Sequence, residues 1–373
     1  MKAIADENIA GLAGTFGRHL DLRLRPGRAL TAGDLDDAEV LLVRSVTRVD
    51  KTLLRGSRVR FVGTATIGTD HLDTDWLDKA GIRWAAAPGC NADAAAQYTL
   101  AMILLACRRL GRDPHAQRLG IIGHGNVGSR LRSLAETLGL DVVVHDPPLA
   151  SAGALPEIPR EEALACDVVS LHVPLTYDGP WPTAGMIDAS ALSSMPRGAL
   201  LVNSARGGVL VEADLQRALD DQAIHAALDV WPQEPAIAQQ LLEATTVANP
   251  HVAGYSVQGK ERGTRMIFEA FLDWSGQAPK PGLGDVTAAN QAAQPRLQLP
   301  TGLEDRVALS VISASKVEAD DQRLRQAPIL DSASFDGLRR AHTPRHEFSR
   351  IWVTAPEPDA SLLRALGFRV HVA

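Results

Sequence analysis

The sequence predicts an α/β fold: two doubly wound parallel-sheet domains with a cleft between them, plus a small α+β C-terminal domain. Three observations carry this. Short runs rich in Val, Ile and Leu alternate with helical patterns, as parallel strands buried on both faces require. The runs fall into two series separated by a long apolar helical stretch over 92–110. Between residues 276 and 300 the composition turns to Gly, Pro, Ala and Gln with little periodicity, which marks a linker.

In chain order, the first series predicts strands over 2–5, 40–44, 60–65 and 83–87. The second predicts strands over 119–123, 142–146, 168–172, 200–203, 226–230 and 246–248. Helices are expected at 127–138 and 212–220, and an amphipathic one over 259–274 follows the last strand. Beyond the linker, 307–313, 350–354 and 368–372 read as strands with helical stretches between them. The expected partition is 1–91 with 256–280, then 92–255, then 281–373 as linker and C-terminal domain.

Hydrophobic residues are 45% and charged residues 22% of the 373, the balance of a globular chain and not of a disordered or fibrous one. The 38 basic and 44 acidic residues leave a net charge of −6, and aromatics are only 4%. Neither a broad nucleic-acid footprint nor a base-stacking platform is expected, although a local basic pocket for a small anion is compatible. The most apolar run, 98–107, is too short to span a bilayer, so no membrane partner is expected. Cys90, Cys107 and Cys166 lie far apart and form no Cys-x-x-Cys. That argues against a disulfide framework or zinc knuckle and fits a reducing cytoplasm. Asp6 and Glu7 interrupt the start of the chain, against a signal peptide, so a cytoplasmic location is expected. His71, Asp73, His115, His124 and His145 show no metal-ligand spacing, and no metal is expected.

The stretch from Leu119 to Gly128 is a strand that opens into Gly123-x-Gly125-x-x-Gly128 and then a helix. One glycine makes the tight turn, one lets backbone approach a pyrophosphate, and one packs helix on strand. The helix N-terminus adds unpaired N–H groups and a positive dipole end. The motif alone is weak, but the next strand ends in Asp146, 18 residues after Gly128. That carboxylate can accept hydrogen bonds from ribose hydroxyls and would repel a 2′-phosphate, so NAD is expected over NADP. The competing reading is an ordinary glycine turn with a solvated acid; strand, glycines, helix and acid in register weigh against it.

Three segments late in the second series carry candidate chemistry. Arg206 stands just past one strand end, Glu234 after the next, and His251 after a third. In an open α/β sheet, ligands bind beyond the carboxyl ends of strands, which allows all three to converge. Arg206 can grip a carboxylate and polarise the reacting oxygen. His251 can take a hydroxyl proton as hydride leaves the same carbon. Glu234 can bond the other imidazole nitrogen, fixing its tautomer and favouring its protonated form. Singly, each has a plainer reading: a surface arginine, a turn glutamate, a structural histidine. Their order and setting shift the balance.

In combination, the glycine motif, Asn203-Ser204-Ala205-Arg206-Gly207-Gly208, the run from Leu228 to Pro235, and Asn249-Pro250-His251 resemble the D-isomer-specific 2-hydroxyacid dehydrogenases. The resemblance covers about residues 1–275. It implies two Rossmann-like domains, with 1–91 and 256–280 binding substrate and 92–255 binding NAD. It also implies Arg206, Glu234 and His251 as the catalytic set. Cofactor contacts are implied at Asn126, Val127, Asp146, Asp229 and Gly254, and substrate contacts at Ser45, Thr66 and Tyr255. Two positions depart from the family pattern. Val173 stands where His-Thr-Pro is usual, which removes a hydroxyl contact to cofactor and leaves backbone contacts. Ala205 stands where Cys or Ser is often found, in a neighbourhood that takes small residues.

The stretches 5–9, 42–47, 66–71, 87–91 and 251–256 are similar to members that act on a small phosphorylated 2-hydroxy acid. Residues 281–373 resemble, less specifically, a C-terminal dimerisation domain, which implies a homodimer. Arg44 and Ser45 end a strand of the first series, where a phosphorylated substrate needs an arginine, hydroxyls or N–H groups. A solvated strand-end charge is the other reading of Arg44. Two further functions stay open: a dehydrogenase for another acid, of the 3-phosphoglycerate or glyoxylate/hydroxypyruvate type, and a non-catalytic NAD(H)-sensing interaction protein.

Overall fold

A computed structural model describes residues 1–278, 295–297, 305–327 and 331–373. The chain forms two compact units, Met1–Asn91 with Ser256–Gln294, and Ala92–Tyr255 with Pro295–Ala373.

The first unit holds five parallel strands, β1 (Lys2–Asp6), β2 (Asp21–Arg25), β3 (Val40–Val43), β4 (Phe61–Thr64) and β5 (Arg83–Ala85), in the order β2-β1-β3-β4-β5. Every residue of β3 and β4 is buried, so these strands read as continuous apolar runs without alternation. β2 is the element that the sequence pattern missed. Its Asp-Leu-Arg-Leu-Arg sits at a sheet edge, half exposed, and carries too few apolar residues to register as a buried run. Helix α1 (Thr74–Lys79) is a short addition, capped by the Asp73 carboxylate on the Trp76 N–H. The long helix Val257–Ser275 buries Ile267, Phe268 and Phe271 with Phe16 and Phe61. Ser256 caps it through the Gly259 N–H at 2.8 Å.

The second unit begins with α2 (Ala92–Arg109), buried on nearly every side, as its all-round apolarity predicts. Six parallel strands follow: β6 (Arg118–Ile122), β7 (Asp141–His145), β8 (Val168–Leu171), β9 (Ala199–Asn203), β10 (Ile224–Leu228) and β11 (Val247–Ala248). Their order is β11-β10-β9-β8-β6-β7. The chain therefore reverses direction across the sheet between β6 and β8, the position at which doubly wound sheets open a ligand crevice. Helix α3 (Asn126–Thr137) leaves β6 through the glycine turn.

The C-terminal residues supply a parallel three-stranded sheet, β12 (Arg296–Leu297), β13 (Trp352–Ala355) and β14 (Arg369–Val372), with β13 in the middle. Two expectations are corrected here. Residues 307–313 are not a strand but part of the helix Arg306–Ser315. Val307, Ala308, Val311, Ile312 and Ala314 are buried, a helical spacing that its β-branched composition disguised. Part of the expected linker is ordered too, since Arg296 and Leu297 pair with Trp352 and Val353. Residues 279–294 and 298–300 of that linker lie outside the described residues. The helix Arg306–Ser315 shares one apolar core with Ile103 and Leu104 of α2 and Leu131 of α3.

Candidate active site

The catalytic candidates are assembled by strand register. Leu228 of β10 pairs with Asn203 of β9 on one side and Ala248 of β11 on the other, so three strands end at one level. The ladder continues past the strand ends: Asp229 N–H donates to the Asn203 carbonyl at 2.9 Å, Asn249 N–H to Leu228 at 2.8 Å, and His251 N–H to Asp229 at 2.7 Å. Arg206, Glu234 and His251 all emerge from these consecutive loops.

His251 Nδ1 lies 2.7 Å from Glu234 Oε2. The other carboxylate oxygen of Glu234 accepts the Trp231 N–H at 2.7 Å. Burial pushes the Glu234 carboxyl up, but the His251 charge and hydrogen bond, the Trp231 N–H and the Arg339 charge outweigh it, and the group stays ionised below the usual range. His251 occupies a left-handed backbone conformation, φ 56°, rare outside glycine. Asp229 secures it. Its fully buried carboxylate accepts the Val252 and Ala253 N–H groups, both at 2.9 Å. Desolvation raises the Asp229 carboxyl, against the lowering effects of His251 and these two donors.

Arg206 is half-buried, with Nη1 donating to the Ala205 carbonyl at 2.9 Å. The Asn203 side chain braces its loop, accepting the Ala205 N–H and donating to the Arg206 carbonyl. The next residue, Gly207, lies so close to the backbone of Trp231 and Pro232 that a Cβ there would overlap it. This contact ties the loop of Arg206 to the loop of Glu234.

The glycine turn has the form that a pyrophosphate needs. Gly123 has φ 94°, and a Cβ on it would meet His172 and Val173 at 2.8–2.9 Å. Val173 is thus placed against the turn, across the point where the strand order reverses. A Cβ on Gly128 would overlap the Gly123 carbonyl, while Gly125 faces open space. Gly125 caps α3 without a side chain, which leaves the N-terminal turn carrying Asn126 and Val127 for an anion. Asp146 Oδ2 accepts the His124 N–H at 2.7 Å, and Oδ1 accepts the Leu149 N–H at 3.0 Å. The acid therefore stands beside the turn, the position at which dinucleotide-binding folds carry the acid that meets ribose hydroxyls. Among the described residues no group of His, Cys, Asp or Glu is arranged for a metal, and no helix is long and apolar enough to cross a membrane.

In the first unit, Asp6 at the end of β1 is fully buried and pairs with Arg44 Nε at 3.2 Å. A Cβ at Gly27 would overlap the Asp6 carboxylate, so the glycine makes room for this pair. Ser45 next to it is exposed. Thr66 Oγ1 lies 2.7 Å from Thr64 Oγ1, which in turn meets His71 Nε2 at 2.9 Å. Lys260, in the first turn of the Val257–Ser275 helix, has its ammonium held below the ordinary lysine range by lost hydration and then by the Arg44 charge. Asp6 and Lys260 had no assigned role in the sequence, because their chemistry appears only where distant segments meet.

Tyr255 and Gly254 lie in the loop after His251, and the C-terminal residues hold that loop. The buried Arg345 donates from Nε to the Tyr255 carbonyl at 2.9 Å and from Nη2 to the Ala253 carbonyl. Its guanidinium stacks over the Tyr98 ring at 4.5 Å. Asp321 accepts the Ala248 N–H at 2.7 Å, and Asn249 Nδ2 donates to the Val317 carbonyl at 3.0 Å.

Comparison with known proteins agrees with this geometry. Residues 97–253 match the family model described as D-isomer specific 2-hydroxyacid dehydrogenase, NAD binding domain. The chain is 41% identical to the erythronate-4-phosphate dehydrogenase of Pseudomonas entomophila, over 98% of each chain. It is 37% identical to the enzyme of that name from Escherichia coli, over 100% of this chain and 99% of the other. Among solved structures, the D-lactate dehydrogenase of Aquifex aeolicus with NAD and lactic acid has a TM-score of 0.63 at 24% identity, covering 74% of this chain and 96% of that one. The NAD-bound 3-phosphoglycerate dehydrogenase of Entamoeba histolytica has a TM-score of 0.64 at 21% identity, covering 76% and 98%.

Proposed function

The chain belongs to the D-isomer-specific 2-hydroxyacid dehydrogenases, a family of NAD-dependent oxidoreductases, and on that premise we propose that it oxidises 4-phospho-D-erythronate at C2 to 2-oxo-3-hydroxy-4-phosphobutanoate. The pathway proposed with it is pyridoxal 5′-phosphate biosynthesis. The full-length similarity to erythronate-4-phosphate dehydrogenases supports the substrate. The observation that carries the chemistry is the 2.7 Å bond between His251 and Glu234 at strand ends level with Arg206.

NAD, when bound, supplies the hydride acceptor. Gly123, Gly125, Asn126, Val127 and Gly128 would hold its pyrophosphate, Asp146 its ribose hydroxyls, and Val173, Ala205 and Gly254 would lend backbone contacts. Asp229 acts mainly through the loop, since both of its oxygens already accept backbone N–H groups. Arg206 binds the substrate carboxylate and draws electron density from the reacting oxygen. His251 Nε2 accepts the C2 hydroxyl proton, and Glu234 steadies the imidazolium that results. Arg44, Ser45, Thr66 and Tyr255 are the further substrate ligands, with Arg44 offering a guanidinium to the phosphate.

The test is kcat/KM with NAD on 4-phospho-D-erythronate, 3-phosphoglycerate, D-lactate and D-glycerate. A preference of at least tenfold for the first supports the assignment. A greater preference for another acid replaces the substrate, and NAD binding without any turnover favours a sensor. A cytoplasmic homodimer, joined through the C-terminal residues, is also proposed. It predicts that Val372→Glu on β14, an exposed position at the end of the small sheet, yields a smaller particle by light scattering.

A further inference from the structure

Arg339 is a guanidinium that the mechanism above does not use. It lies in the last turn of the helix Ser332–Arg340, whose Phe335 and Leu338 join the apolar layer of Trp231, Ile237, Leu241 and Leu242. Trp231 and Ile237 of that layer flank Glu234 in the chain. The Arg339 side chain is only 17% exposed. Its Cζ stands 5.7 Å from the centroid of the Tyr255 ring. Its Nε is buried and makes no hydrogen bond among the described residues. Its nearest ionic partner, Asp336 Oδ1, is 3.7 Å from Nη1, beyond hydrogen-bond reach.

A buried N–H without an acceptor is costly, and more so for a charged group. Natural structures seldom leave one unless water, an ion or a ligand completes it. A guanidinium edge offers paired donors that match the oxygens of a phosphate. The setting is that of the reaction: Tyr255 belongs to the loop of His251, and the Arg339 charge helps to keep the Glu234 carboxyl ionised. Arg345 fixes the same loop from behind, so the Tyr255 ring and the Arg339 fork hold a defined relation.

We propose that Arg339 binds the phosphate of the substrate, so that the C-terminal residues complete the substrate site of their own chain. This rests on the phosphorylated substrate proposed above. Arg339 then contacts substrate directly, and Tyr255 supplies the wall against which its guanidinium stacks.

The experiment compares the full-length protein with Arg339→Gln and Arg339→Lys. Steady-state rates are measured on 4-phospho-D-erythronate and on D-erythronate. Melting is followed with saturating NADH in the presence and absence of inorganic phosphate, so that the cofactor site is already filled. For Arg339→Gln, KM for the phosphorylated acid should rise at least tenfold, with kcat within about threefold and KM for D-erythronate little changed. The lysine variant should fall between, keeping the charge and losing the fork. Phosphate should raise the melting temperature of the NADH-bound wild type and not that of Arg339→Gln. Equal losses on both acids, or a lower kcat at unchanged KM, would overturn the proposal and leave Arg339 acting only through Glu234. If the wild type ignores 4-phospho-D-erythronate, the assigned substrate fails, and the phosphate melts still decide Arg339: equal shifts in both proteins reject the anion site. Should Arg339→Gln fail to fold, the lysine variant carries the same comparison.

Discussion

His251 Nδ1 and Glu234 Oε2 stand 2.7 Å apart although 17 residues separate them, because each follows a strand of the same parallel sheet. With Nδ1 held by the carboxylate, Nε2 is the nitrogen left for the proton transfer proposed above.

Glu234→Gln should therefore change both the pH dependence of stability and the rate of turnover. A carboxyl whose pKa is depressed by folding lends stability above its unfolded value and loses it as pH falls through the depressed one. Glu234 is such a group. The wild type should be more stable than Glu234→Gln near pH 7, by on the order of 1 kcal/mol, and the gap should close below about pH 4. In kcat/KM, both directions should slow, because the imidazole loses the carboxylate that fixes its tautomer and steadies the charge it takes up. Melting from pH 3 to 8 and rates in both directions check this; profiles that coincide with the wild type would free Glu234 of any role in proton transfer.

Arg44→Ala should destabilise the first unit as well as weaken phosphate use. Asp6 would keep its bonds to Asn8 but lose its counter-charge inside the protein. Losing one partner of a buried pair costs about 3–5 kcal/mol. Asp6→Asn combined with Arg44→Gln should recover most of that loss in urea unfolding. The double variant is then the fair protein in which to compare phosphorylated and unphosphorylated acids. If Arg44→Ala alone is as stable as the wild type, the pair is a surface bond of little weight.

Asp146→Ser and Asp146→Ala separate recognition from capping. Asp146 both faces the glycine turn and caps the helix Pro147–Ser151. Serine retains a capping oxygen, whereas alanine should cost about 1 kcal/mol more. Both should narrow the NAD-to-NADP ratio of kcat/KM, since neither repels a 2′-phosphate. An unchanged ratio removes Asp146 from cofactor choice.

Gly207→Ala should abolish activity with little recourse to repacking, because the clash is with the Trp231–Pro232 backbone and not with a movable side chain. The displaced loop carries Arg206, and the displaced neighbour carries Glu234. Circular dichroism and single-turnover rates would show this as a folded or partly folded protein without chemistry. Near-normal turnover would mean that the two loops are not mechanically linked.

A chain ended near residue 288 should not survive as a smaller NAD-binding particle. It would strip Val307, Val311 and Ile312 from the core around α2, and it would remove Arg345 and Asp321 from the loop of His251. Loss of cooperative melting is the expected outcome. A truncated chain that melts cooperatively and binds NADH would show that the C-terminal residues are dispensable to the unit.

Local rules were enough for much of this protein. The apolar runs of β3, β4 and β8 have no alternation because both faces are covered, and such runs are visible in sequence. The glycine turn and Asp146 sit at short sequence distances fixed by one strand–helix–strand unit, so spacing alone located them. That Arg206, Glu234 and His251 follow adjacent strand ends is legible too, because strand ends in a parallel sheet share one edge. Elements without a strong local signal were not: β2 at its half-exposed edge, and the helix Arg306–Ser315, whose Val and Ile content suits a strand until burial reveals a helical face. What only the tertiary structure decided are relations between distant segments. Asp6 with Arg44, Gly207 against Trp231, and Arg339 and Arg345 around Tyr255 join residues from 24 to 90 positions apart. No periodicity encodes such a pair, because a contact of that range depends on where the whole sheet places each loop, and the sequence specifies that placement only through the packing of every element between them.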